Sequence, residues 1–78
     1  MSETFGQILK KKRKRKGLTM RELADKVNAS PSSIGYYEKD KIIPNLFVGI
    51  DIANALGCSV YELCGVKEKK FNEVTGNE

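Results

Sequence analysis

Apolar residues recur at helical spacing in five stretches of this chain, each closed by a turn former. In the first, Phe5, Ile8 and Leu9 form one stripe, with Lys12 next on the same face, where its methylenes can cover a core edge. The pattern predicts a helix starting near Ser2 or Thr4 and closing at Gly17, a residue suited to a helix end. In the second, Leu23 and Val27 lie one turn apart, Ala24 is small enough for a crossing helix, and Thr19 with Glu22 makes a capping box. Asn28 then tolerates the left-handed backbone of a sharp turn. Ser30 caps the third, Pro31 takes its first position, and Ile34 with Tyr37 points inward, leaving Ser32, Ser33 and Tyr36 outward.

After Lys39 comes the loop DKIIPN, in which Pro44 forbids helix at Ile43, and Ile42 with Ile43 is expected to plug one edge of the core. Asn45 caps a fourth helix, LFVGIDIANAL, with Leu46, Ile50, Ala53 and Leu56 expected on one face. Phe47, Val48 and Ile52 widen its apolar area, as deep burial or a surface shared with a partner requires. Gly49 weakens this helix by about 1 kcal/mol against alanine, so packing must hold it. Gly57 ends it, Ser59 and Glu62 form another capping box, and a short fifth helix runs around Val60 to Cys64 before Gly65. The expected fold class is all-α, a compact five-helix domain.

Within Met20–Lys39 the pattern is that of a helix-turn-helix. A small residue (Ala24) stands at its fifth place and a turn former (Asn28) at its ninth. Apolar residues take the fourth, eighth, tenth, fifteenth and eighteenth (Leu23, Val27, Ala29, Ile34, Tyr37). The competing reading is a helical hairpin inside a protein-binding bundle, and the joint match of all these places favours nucleic-acid binding.

Charge strengthens that reading. Half of the fourteen basic residues lie in the block KKKRKRK at 10–16, and the other seven stand against ten acidic side chains. One basic block is what a phosphate-facing surface needs, although a merely solvated helix face would look the same in sequence. Its like charges repel, so binding to DNA should stabilise the first helix.

At 78 residues the chain is expected to form one domain over 1–66 with a polar tail over 67–78, flexible or ordered by a dimer. No apolar run approaches the roughly 18–20 residues of a membrane span, and no signal-peptide pattern opens the chain, so the expected location is the cytoplasm. Cys58 and Cys64, six apart in a chain without histidine, match neither a redox pair nor a zinc half-site and are expected to be reduced core residues. No metal, cofactor or catalytic arrangement is expected, and the chain does not read as an enzyme.

Residues 4–64 resemble the Xre/Cro-type regulators, the lambda repressor-like group. The resemblance rests on TFGQILKKKRKRKGLT, RELADKVNASPSSIGYYE, the I-P-N step and IANALGCSVYEL. It implies a third helix in the major groove and a second lying across the backbone. Pro31, Ser32, Ser33 and Tyr36 then face base edges or nearby phosphates. Lys39 and Lys41 fall where the family touches phosphate, and Lys10, Lys14, Met20 and Arg21 complete the expected phosphate contacts, Met20 through its flanking backbone amide. Arg13 and Glu38 match a pair that forms an internal salt bridge in some members. Two departures stand out: Met20 replaces a common glutamine, and Pro31 with Ser32 replaces long polar readers. Neither proline nor serine makes bidentate base pairings, so Tyr36 is the largest expected base contact, by its hydroxyl or against a thymine methyl. Its alternative role is to cover Tyr37. The function implied is a bacterial or phage-encoded transcription regulator, a repressor acting as a homodimer on a double-stranded operator through helices four and five. The rival is a protein-interaction adaptor that kept the fold and lost operator reading.

Overall fold

The computed structural model describes residues 3–65. They form α1 (Phe5–Arg15), α2 (Met20–Lys26), α3 (Pro31–Glu38), α4 (Leu46–Leu56) and α5 (Val60–Cys64), with no strand among the described residues. The expectation for residues 67–78 lies outside the described residues.

Each helix begins on a side-chain cap. Thr4, Thr19, Ser30, Asn45 and Ser59 accept the backbone N–H three residues on, a contribution of about 1 kcal/mol apiece. Thr4 is the start of α1, and Gln7 returns its side chain to the Thr4 N–H as Glu22 and Glu62 do to Thr19 and Ser59. Asn28 takes the left-handed backbone at φ 56°, which lets the chain turn from α2 into α3, and Asp40 does the same at φ 60° after α3.

The core takes one wholly buried side chain from every helix: Leu9, Leu23, Ile34, Ile52 and Leu63. Ala24, Val27, Tyr37 and Leu56 fill the space between them.

At the joint between α1 and the end of α3 the two backbones approach closely. Gly6 lies so near the last turn of α3 that a Cβ there would stand 2.5 Å from the Glu38 carbonyl oxygen and 2.6 Å from that of Tyr37. The Asp40 carboxylate accepts the Gly6 N–H (2.9 Å) and the Thr4 hydroxyl (2.6 Å), placing a negative charge at the positive end of α1.

Three expectations are corrected. Ile42 and Ile43 do not plug the core: after the left-handed Asp40 the chain runs over the surface, and Ile43 is 74% exposed. The inward row of α4 is Val48, Ile52 and Leu56 with Ala53 beside it, whereas Leu46, Phe47 and Ile50 are exposed. The N-terminal half of α4 is apolar around its circumference, so spacing alone left the inward direction open, and packing against α2 and α5 chose it. Cys58 packs against the core as expected, with burial pushing its thiol pKa up and Lys12 partly offsetting this, but Cys64 is exposed.

Gly6→Ala has no space for its methyl except by lifting α1 from α3, and the obstacle is backbone. The expected cost is about 2–3 kcal/mol, read as a fall in urea midpoint with an unchanged slope. A wild-type midpoint for this variant would refute the tight joint.

Candidate nucleic-acid interface

The turn between α2 and α3 is closed by the Ala29 N–H donating to the Ala24 carbonyl (3.0 Å), which folds the two short helices against each other. Leu23, Ala24 and Val27 on one side and Ile34 with Tyr37 on the other bury the facing stripes. Burying those stripes fixes what remains outside. Pro31 and Gly35 form one outward row of α3, Ser32 and Tyr36 the next, and Lys39 continues them.

These five residues and Met20, the first residue of α2, line one open groove. The floor is Gly35, whose hypothetical Cβ would meet only the Met20 sulfur, at 3.8 Å. Of the expected base-facing residues, Pro31, Ser32 and Tyr36 are thus brought together. Ser33 lines no part of the groove: its N–H donates to Ser30 Oγ (3.1 Å) and its hydroxyl accepts from Ser30 (3.0 Å), so it serves the cap. Met20 and Lys39 lie in the groove itself, while Arg21 and Lys41 are exposed outside it. Gly35 belongs to the groove but escaped the sequence reading. Its signal was a glycine inside a helix, where alanine is the better helix former.

The basic block is divided by the helix it builds. With about 3.6 residues per turn, seven consecutive cations cannot share a face. Arg13 points inward: its Nη2 donates to Glu38 Oε1 (3.2 Å), its Nε to Glu38 Oε2, and its Nη1 to the Leu18 carbonyl (2.7 Å). Both side chains are under a tenth exposed. Lys11 pairs with Glu3, Lys12 reaches Glu62 at 3.8 Å, and Lys16 lies across Gly57 at the end of α4. Lys10 and Lys14, one turn apart on the flank nearer α3, and Arg15 on the opposite flank are exposed and have no ion-pair partner among the described residues.

Residues 9–63 match the family model of the helix-turn-helix. The chain belongs to the helix-turn-helix family. Within that family it is of the Xre/Cro, lambda repressor-like type. This helix-turn-helix chain is 42% identical over 52 residues to the endothelial differentiation-related factor 1 homolog of Danio rerio, covering 67% of this chain and 36% of that protein. It is 39% identical over 62 residues to the immunity repressor protein of Bacillus phage phi105, covering 80% and 43%. It therefore spans less than half the length of either relative. SinR, a master regulator for biofilm formation crystallised in complex with DNA, has the same fold at a TM-score of 0.72 and 30% identity, over 77% of this chain and 97% of that one. Among the described residues, no helix is long and apolar enough to cross a membrane, and no group of three His, Cys, Asp or Glu is placed to hold a metal ion.

Removing one partner of the Arg13–Glu38 pair strands a buried charge. Arg13→Ala and Glu38→Ala are each expected to cost about 3–5 kcal/mol, whereas Arg13→Met combined with Glu38→Leu should cost much less than the two single changes added. Urea unfolding of the four proteins tests this, and additive losses would contradict it.

Proposed function

We propose that this chain is a sequence-specific double-stranded DNA-binding transcriptional regulator, a repressor whose α3 enters the major groove. The observation that carries the reading is the open outward face of α3, continuous with Met20 and lined by Lys39, a cation without an ion-pair partner among the described residues. An open helix face of this kind suits a duplex: the groove residues meet base edges, and exposed cations meet phosphate. Pro31, Ser32 and Tyr36 face the bases, with Ser33 at the margin of the contact. Lys10, Lys14, Arg21, Lys39, Lys41 and the backbone at Met20 hold the phosphates. One module of this size covers only about 600–1,000 Å² of contact on DNA, so two copies reading two half-sites supply the affinity of an operator complex.

The exposed apolar side chains of α4 favour that second copy. Leu46 and Phe47 are 66% and 77% exposed, Ile50 follows, and Gly49 has open space where a Cβ would stand. The same surface is what an adaptor that binds protein rather than operator would use, and this keeps the adaptor as the second reading.

In vitro selection of random duplexes at near-physiological salt is expected to recover two half-sites about one helical turn apart. Retention of duplexes without a common motif would refute sequence-specific reading, and no retention would favour the adaptor. On the selected duplex, Lys10→Glu with Lys14→Glu is expected to weaken binding at least about tenfold and to lower the salt slope by about two. Lys11→Glu with Arg15→Glu makes the same change in net charge on another flank and should weaken binding far less. Equal losses would mean that net charge alone acts. Phe47→Ser is expected to shift sedimentation equilibrium from dimer to monomer without changing the helical circular-dichroism spectrum, and an unaltered dimer would exclude this face from the contact.

A further inference from the structure

A second groove lies along α1 and shares no residue with the groove on α3. Lys12, Arg15 and Lys16 form one wall, and Leu56, Gly57 and Cys58, where α4 ends, form the other. At about 100° per residue, Lys12 and Lys16 stand across the helix from Lys10, away from the flank that borders α3.

Charge in this groove is unbalanced. Of the described residues that line it, three are cations and one, Glu62, is a carboxylate. Glu62 already accepts the Ser59 N–H (3.2 Å) in the cap of α5. It stands 3.8 Å from the Lys12 ammonium, beyond hydrogen-bond distance. Arg15 and Lys16 are exposed and have no ion-pair partner among the described residues. The Lys16 ammonium would lie 3.4 Å from a Cβ on Gly57, so its charge sits against the facing wall.

That facing wall is apolar. Leu56 is buried, and Cys58 is half-buried with a thiol that burial pushes up and so keeps neutral. Free cations opposite an apolar strip call for carboxylates and an apolar group on one ligand. A duplex backbone meets only half of this, since it brings repeated phosphates with no apolar side chain, and Glu62 repels them.

We propose that this groove docks an acidic segment of a partner protein, its carboxylates on Arg15 and Lys16 and an apolar side chain against Leu56 and Cys58. Charge complementarity selects the partner, and acidic chains with recurring apolar residues have the matching chemistry. The site is separate from the exposed side chains Leu46, Phe47 and Ile50 of α4. It does not rest on the DNA-reading function proposed above, and a duplex on α3 leaves it open.

The probe is a labelled synthetic peptide in which leucine recurs among aspartates, titrated onto the full chain by fluorescence anisotropy at about 0.15 M salt. Binding is expected, and serine in place of its leucines should weaken it at least about fivefold, the loss of a buried apolar side chain. Arg15→Glu with Lys16→Glu should weaken it at least about tenfold. Arg15→Gln alone changes only an exposed side chain and should weaken it about threefold. Lys10→Glu with Lys14→Glu makes the same change in net charge as the first pair and should leave peptide binding nearly unaltered. Amide shifts in nuclear magnetic resonance spectra should centre on Leu56, Gly57 and Cys58. The absence of peptide binding, equal binding of the leucine and serine peptides, or equal losses from the two double reversals would each overturn the proposal. Adding the duplex recovered by selection should leave the peptide bound, and its displacement would assign the groove to phosphate instead. The titration itself contains no DNA, so a failure here leaves the DNA-reading function standing, and a failed duplex selection leaves this site standing.

Discussion

An isolated eight-residue helix is too short to persist in water, so α3 depends on the elements that hold its ends. The decisive grip is the Arg13 guanidinium. It binds the Glu38 carboxylate in the last turn of α3 and the Leu18 carbonyl just before the cap of α2. One side chain of α1 therefore fixes both helices of the motif relative to each other. Apolar contacts alone would tolerate sliding and rotation of so short a helix, whereas a planar fork with several bonds tolerates neither. The cost is the desolvation of two charges, which only a complete set of hydrogen bonds offsets, and no buried side-chain polar atom among the described residues is left without a partner. Gly6 and Asp40 secure the same joint from the other end of α1.

That arrangement changes the meaning of the basic block. A row of seven cations reads as one surface, but helical geometry spreads it around α1. Arg13 is spent on architecture. Lys11 and Lys12 face carboxylates, and Lys16 lies at the C-terminal end of α4, where the helix dipole favours a cation. Lys10 and Lys14 remain on the flank that borders α3, and Arg15 on the opposite one. The cations suited to phosphate are thus a subset, chosen by where α1 is docked.

Much of the fold was legible because local chemistry and periodicity agreed. The caps at Thr19, Ser30, Asn45 and Ser59, the turn at Asn28 and the inward stripes of α1 to α3 each rest on residues within one or two turns of one another. In α4 that agreement was missing: an element apolar around its N-terminal half carries no direction of its own, so Leu46 and Ile50 were expected inward and lie outward. Ile42 and Ile43 failed for a related reason, since hydrophobicity marks what prefers burial but not whether the chain has a path to it. In the groove, Ser32 and Tyr36 followed from helical spacing and Pro31 from the family resemblance, while Gly35 drew no notice because an absent side chain leaves no periodic mark.

The sequence by itself determined the helices, their caps, the turn geometry and the family, because these depend on neighbours along the chain. The tertiary structure alone decided which cations stay free, which face of α4 meets solvent, and that Met20 and Gly35 share a groove with Tyr36. Those outcomes depend on how helices far apart in sequence meet, and the helix-to-helix rotation that sets them is fixed by packing around Leu9, Leu23, Ile34, Ile52 and Leu63 together with the Arg13–Glu38 pair.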